Sequence, residues 1–90
     1  MQFKKKVLIV NEAGFHIRAA LLIVKESEKF KSDIKVRNKD IEADGKSIMG
    51  LLTLGAGLGA EIEIKADGPD AKEAIARLSK VISDRFGEEK

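Results

Sequence analysis

Near its C-terminal third the chain changes hydrophobic period within a few residues, and that change constrains the fold more than any other feature. Ile62 and Ile64 alternate with Glu61, Glu63 and Lys65, the two-residue period of a half-buried strand. From Asp70 onward, Ala71, Ala74, Ile75, Leu78, Ile82 and Phe86 recur at helical spacing, and Asp70 with Glu73 forms a capping-box pair at the start. The same switch occurs earlier. Phe3 to Val10 is β-rich and bounded by Asn11 and Gly14, whereas Ala20, Ile23, Ser27 and Phe30 continue a helical stripe from Ile17. Ile34 and Val36, then Ile41 and Ala43, alternate with polar residues around Asn38 and Lys39, which predicts a hairpin ended by Asp44-Gly45. Ser47 opens SIMGLLTL, about two helical turns, before LGAGLGA returns the chain to the last strand.

The order is therefore β-α-β-β-α-β-α. An α+β open-faced sandwich buries every stripe: a four-stranded, mainly antiparallel sheet carries three helices on one face and meets water on the other. Ninety residues suit a single domain, residues 1–90, with GEEK as a polar tail.

Composition narrows the chemistry. With 17 basic and 15 acidic residues the formal net charge is +2, too small to make nucleic acid or an anionic membrane the main partner. Four phenylalanines without tyrosine or tryptophan also disfavour a small RNA-binding domain. The absence of cysteine excludes disulfides, thiol catalysis and Cys-based metal sites, and a reducing cytoplasm fits best. Val7 to Val10 is too short an apolar run for a signal sequence or membrane span. No second histidine or carboxylate cluster stands at ligand spacing, so neither a metal nor a cofactor is expected. Gly55, Gly57 and Gly59 precede a strand instead of opening a helix, which argues against a nucleotide loop. They cap the short helix and allow a tight return.

The one histidine lies in EAGFHIRAA. If the helix starts at Ile17, His16 is its N-cap, and the NH groups of Ile17 and Arg18 lack intrahelical partners. They suit an anion held on the imidazole. The positive end of the helix disfavours imidazolium and keeps the ring nucleophilic, while Arg18 supplies a guanidinium for phosphate. These are the parts of a phosphohistidine site. An isolated His-x-Arg is more often a surface histidine acting as a mediocre cap, so the motif alone is weak.

The whole chain is more specific. GFHIRAA, followed by KSIMGLLTLGAGLGAEIEIKADGPDAKEA, resembles the HPr family, the histidine-containing phosphocarriers of the sugar phosphotransferase system, from about Phe3 to Phe86. The resemblance implies that His16 takes a phosphoryl group on Nδ1 from enzyme I, itself charged by phosphoenolpyruvate, and passes it to sugar permease A domains. It implies that Arg18 stabilises that group. It also implies that Ser47, besides capping its helix, is a target of an ATP-dependent HPr kinase/phosphorylase.

By the same resemblance Ile17, Leu21, Ile48, Met49 and Leu52 form an apolar docking patch ringed by Arg18, Lys25 and Lys46. The site departs from the usual Gly-Leu-His-Ala-Arg-Pro-Ala at Phe15, Ile17 and Ala19, and the bulk of Ile17 bears on partner choice and transfer rate.

The expected function is thus a monomeric, stoichiometric phosphocarrier, not an enzyme with its own small substrate. The alternative is a regulatory paralogue that acts through Ser47 phosphorylation and transcription-factor binding.

Overall fold

The computed structural model describes all 90 residues. Its elements are β1 (Gln2–Leu8), α1 (Ile17–Ser27), β2 (Asp33–Asn38), β3 (Ile41–Asp44), α2 (Ile48–Leu52), β4 (Glu61–Asp67) and α3 (Ala71–Ser83), followed by a 3-10 turn at Arg85–Gly87. The sheet runs β1-β4-β2-β3, and each neighbouring pair is antiparallel. The expected order and open-faced architecture therefore hold, and the sheet is wholly antiparallel.

Alternation decides what each strand buries. Val7, Ile34, Val36, Ala43, Ile62, Ile64 and Ala66 point under the helices, while Lys4, Lys6, Arg37, Glu61 and Asp67 stay exposed. Lys5 pairs with Ile64 on edge strand β1 and is an inward-side charge on an open edge, a feature that discourages a further strand from adding there. Ile9 extends the pairing past β1: its NH donates to the Ala60 carbonyl at 2.9 Å and its carbonyl accepts from Gly59 at 2.8 Å.

The helices bury the stripes read from the sequence: Ala19, Ala20, Ile23 and Val24 on α1, and Ala71, Ala74, Ile75, Leu78 and Ile82 on α3. Glu26 is also buried on α1, where its carboxylate accepts from Arg77 Nε of α3 at 2.5 Å and from Lys29 Nζ at 2.9 Å. These bonds, Arg77 first and Lys29 second, hold the Glu26 carboxyl below its ordinary range against the opposing effect of burial.

Three local readings are corrected. Asp70 makes no capping bond to its own helix; its carboxylate instead accepts from the NH groups of Lys31 and Ser32 and from the Ser32 hydroxyl, at 2.9, 3.0 and 2.6 Å. Three donors across the fold outcompete one local NH. Phe30 lies beyond the end of α1, where the chain tightens through Lys29 NH to Glu26 and Phe30 NH to Ser27 carbonyls.

Phe86 likewise leaves the α3 helix. Arg85 and Phe86 both have left-handed backbone, φ 60° and 54°, which ends the helical path although the i, i+4 spacing from Ile82 would continue it. Phe86 is still buried, its ring set edge-on to that of Phe15.

Candidate phosphoryl-acceptor site

Three stretches far apart in sequence meet at His16. The loop that carries it folds on Asn11, whose carbonyl accepts from Gly14 NH at 3.2 Å and whose amide Nδ2 donates to the Gly14 carbonyl at 2.9 Å. Gly14 has φ +67°, and a Cβ there would lie 2.7 Å from the Ala56 carbonyl oxygen, so only glycine lets the two loops approach. Phe15 NH then donates to that same carbonyl at 2.8 Å. The glycine-rich segment is therefore one wall of the histidine loop as well as a return after α2. Gly55 and Gly59, at φ +61° and +87°, give it the curvature for this.

The third stretch is the C-terminal tail. Positive φ at Arg85, Phe86 and Gly87 turns it back across the fold, and the Phe86 ring meets Phe15. Glu88 follows: its Oε1 accepts from Asn11 Nδ2 at 2.9 Å, and its Oε2 is in close contact with His16 Nε2. The Lys90 carbonyl accepts from Glu12 NH at 3.1 Å. The expectation of GEEK as a plain polar tail is thus corrected, because these residues strap the histidine loop.

His16 is the N-cap of α1, as its position predicts, with φ −91° and ψ −176°. Its Nδ1 accepts the Arg18 NH at 3.2 Å, while the NH of Ile17 has no partner in the chain. Of the two donors expected to face an anion, Arg18 NH is thus already engaged with the imidazole.

The two ring contacts agree on the tautomer. A backbone NH aimed at Nδ1 requires a lone pair there, which leaves the proton on Nε2, where the Glu88 carboxylate accepts it. The Asn11 amide, with the His16 contact next, holds the Glu88 carboxyl below its ordinary range, so it is a carboxylate at neutral pH. The His16 side chain is 32% exposed. Arg18 is exposed and its guanidinium makes no hydrogen bond or ion pair.

Residues 3–84 match the family described as PTS HPr component phosphorylation site. The chain belongs to the HPr family. Members of this family are phosphocarrier proteins of the phosphotransferase system. The phosphocarrier protein HPr of Neisseria meningitidis serogroup A is 40% identical over 85 residues, 94% of this chain and 96% of that protein. HPr from Thermoanaerobacter tengcongensis superposes with a TM-score of 0.93 at 38% identity, covering 98% of this chain and 99% of that one. Crh, the Bacillus subtilis catabolite repression protein solved as a swapped dimer, superposes at 0.75 with 32% identity over 90% of this chain and 93% of its own.

The remaining expected site residues lie on α1, on α2 and just before α2. Ser47 is the N-cap of α2, with Gly50 NH donating to its Oγ at 3.1 Å, and it is half-buried. Ile17, Leu21 and Met49 are exposed at 61%, 48% and 73%, whereas Ile48 and Leu52 are half-buried and pack against the core. The apolar patch thus has an outer and an inner part. Lys25 is exposed, as expected. Lys46 is exposed too, and its Nζ donates to the Phe30 carbonyl at 3.0 Å.

Asn11 and Glu88 escape a sequence reading for different reasons. A buried asparagine at a strand end leaves a weak trace, in that Asn11 closes an apolar run and opens a turn. Glu88 leaves none, because nothing local in GEEK distinguishes one carboxylate from its neighbour.

Proposed function

We propose that this HPr-family chain carries a phosphoryl group on Nδ1 of His16, received from enzyme I and passed to sugar permease A domains. One observation carries the reading: the Nδ1 lone pair faces the start of α1, on a partly exposed ring, two residues before an arginine whose guanidinium is uncommitted. When phosphorus takes that lone pair, the Arg18 NH is released to a phosphoryl oxygen and the free Ile17 NH lies on the same turn. The Arg18 side chain then adds a charge-assisted bond. Ile17, Leu21 and Met49, with the inner residues Ile48 and Leu52, receive the partners, and Ser47 is the regulatory position open to HPr kinase/phosphorylase. The carrier acts as one domain, residues 1–90, as a monomer in the cytoplasm, without cofactor, metal, nucleic acid or membrane insertion.

The test is incubation with phosphoenolpyruvate and enzyme I, followed by mass mapping of acid-labile phosphate. Label at His16 in the wild type and none in His16→Ala is the expected result, with the fold retained because the cap contributes only about 1 kcal/mol. Label elsewhere, or label that survives His16→Ala, refutes it. The likeness to Crh supports a second reading, a regulatory paralogue that works through phospho-Ser47 and a transcription factor. Under that reading the wild type takes up little label at His16.

A further inference from the structure

The tail residue Glu88 is bound at both carboxylate oxygens by groups of the histidine loop, although it lies 72 positions from His16 in sequence. Its side chain is only 17% exposed. Asn11, which holds the second oxygen, is completely buried. A surface carboxylate reaching for a nearby histidine would have neither feature. The chain commits a buried amide and a folded-back terminus to placing one carboxylate on Nε2, the ring nitrogen that phosphorus does not take.

We infer that Glu88 is a positioning residue for phosphoryl transfer: it keeps the proton on Nε2 of His16 through both halves of the cycle, so that Nδ1 is the only nucleophilic nitrogen and no proton has to move. This rests on the carrier reading above. In the first half the Nδ1 lone pair forms the N–P bond while the bond from phosphorus to the donor breaks, and that electron pair leaves with the donor. The ring, neutral at the start, becomes an Nδ1-phosphoimidazolium with its Nε2 proton in place, and the carboxylate faces the new positive charge. In the second half the acceptor attacks phosphorus and the N–P pair returns to Nδ1. The leaving group is neutral imidazole. Had Nε2 lost its proton, an imidazolate would have to leave, a far more basic and slower departure.

Glu88 is the one hydrogen-bond partner of Nε2, and the Arg18 guanidinium, which makes no ion pair, also acts on the Glu88 carboxylate through its charge. The opposite polarity, Nε2 as acceptor and Nδ1 protonated, would set an NH against the Arg18 NH and a lone pair against the carboxylate. Both contacts would be repulsive. The strap therefore selects a tautomer as well as a place for the ring.

The experiment uses the full chain and Glu88→Gln, which keeps the side-chain length and the oxygen that accepts from Asn11 but loses the charge. Nitrogen-15 spectra of the His16 ring, recorded in alkaline solution where the imidazole is neutral, report the tautomer without any phosphorylation. The wild type is expected to show Nε2–H with an unprotonated Nδ1, and Glu88→Gln a mixture of both tautomers. Single-turnover transfer from phosphorylated His16 to a permease A domain is expected to slow by about ten- to a hundredfold in Glu88→Gln, the range of a lost charge-assisted bond. Glu88→Asp is expected to recover part of the rate. Thermal unfolding of each variant checks that the tail stays docked, and Glu88→Asp with wild-type stability keeps the test open if Glu88→Gln unfolds. Wild-type tautomer and rate in Glu88→Gln overturn the inference while leaving His16 as the carrier. A wild-type protein that takes no label from enzyme I overturns the carrier reading instead, and the role of Glu88 in transfer with it.

Discussion

The ring of Phe15 meets that of Phe86 edge-on, with centroids 5.4 Å apart and planes inclined at 64°. Phe15 immediately precedes His16 and Phe86 begins the returning tail, so this contact ties the two segments together. Such a pair adds about 0.5–1.5 kcal/mol to the burial of the rings themselves.

Phe86→Ala is expected to cost about 3–5 kcal/mol in urea unfolding, the range for a buried phenylalanine truncated to alanine. Phe86→Leu, which keeps most of the apolar volume, should cost less. If Phe86→Ala is within about 1 kcal/mol of the wild type, the ring pair does not anchor the tail and Glu88 must be held by its polar bonds alone.

Ala19→Pro tests the register of the helix start. The first helical bond runs from Ala20 NH to the His16 carbonyl, and Ala19 NH has no partner, so a proline there removes none. Stability should change by no more than about 1 kcal/mol, a gain through the unfolded state set against the extra ring volume at a fully buried position. A helix that began earlier, at Ala13 or Gly14, would make Ala19 interior and the cost about 3 kcal/mol.

Arg77→Met tests the link between α1 and α3. It keeps the apolar stem but leaves buried Glu26 with Lys29 alone, at an expected cost of about 1–2 kcal/mol, moderated because Arg77 is itself half in solvent. A carboxyl depressed in the folded state contributes stability that is fully present above its unfolded value, near 4.5, and is lost as pH falls through the lower folded value. The difference between wild type and variant should therefore be constant at neutral pH and shrink in acid below about pH 4.5. Urea midpoints across that range measure it, and a difference that grows in acid contradicts the pairing.

Ser47 separates capping from regulation. Ser47→Ala removes the bond to Gly50 NH and should cost about 1 kcal/mol. Ser47→Asp keeps an acceptor at the cap and so retains the fold, yet places a negative charge beside Ile48 and Met49, the surface proposed to receive acidic partners. Its acceptor rate with enzyme I should fall, more at low salt than at moderate salt, because the charge acts over a Debye length of about 10 Å at 0.1 M. Equal rates for Ser47→Asp and wild type at both salts would remove the regulatory reading.

The period of the hydrophobic pattern determined the element order, the buried faces of α1 and α3, and the open charged face of the sheet. It does so because a strand or helix that buries one side writes that choice into consecutive residues. The helix start at His16 was legible for a similar local reason, since a chain leaving a strand at Asn11 and turning at Gly14 reaches helical geometry just after the histidine. Two left-handed residues at Arg85 and Phe86 write no such pattern, so the same spacing that found α3 carried its stripe one turn too far. Asp70 was legible as a cap, but the NH groups of Lys31 and Ser32 reach it only when α1 and α3 are packed. The bonding of Glu88 to Asn11 and His16 depends on closure of the chain over 77 and 72 positions. Only the tertiary structure decides such a contact, because the energy that selects one tail carboxylate over its neighbour comes from a buried amide and an imidazole that come together only in the folded chain.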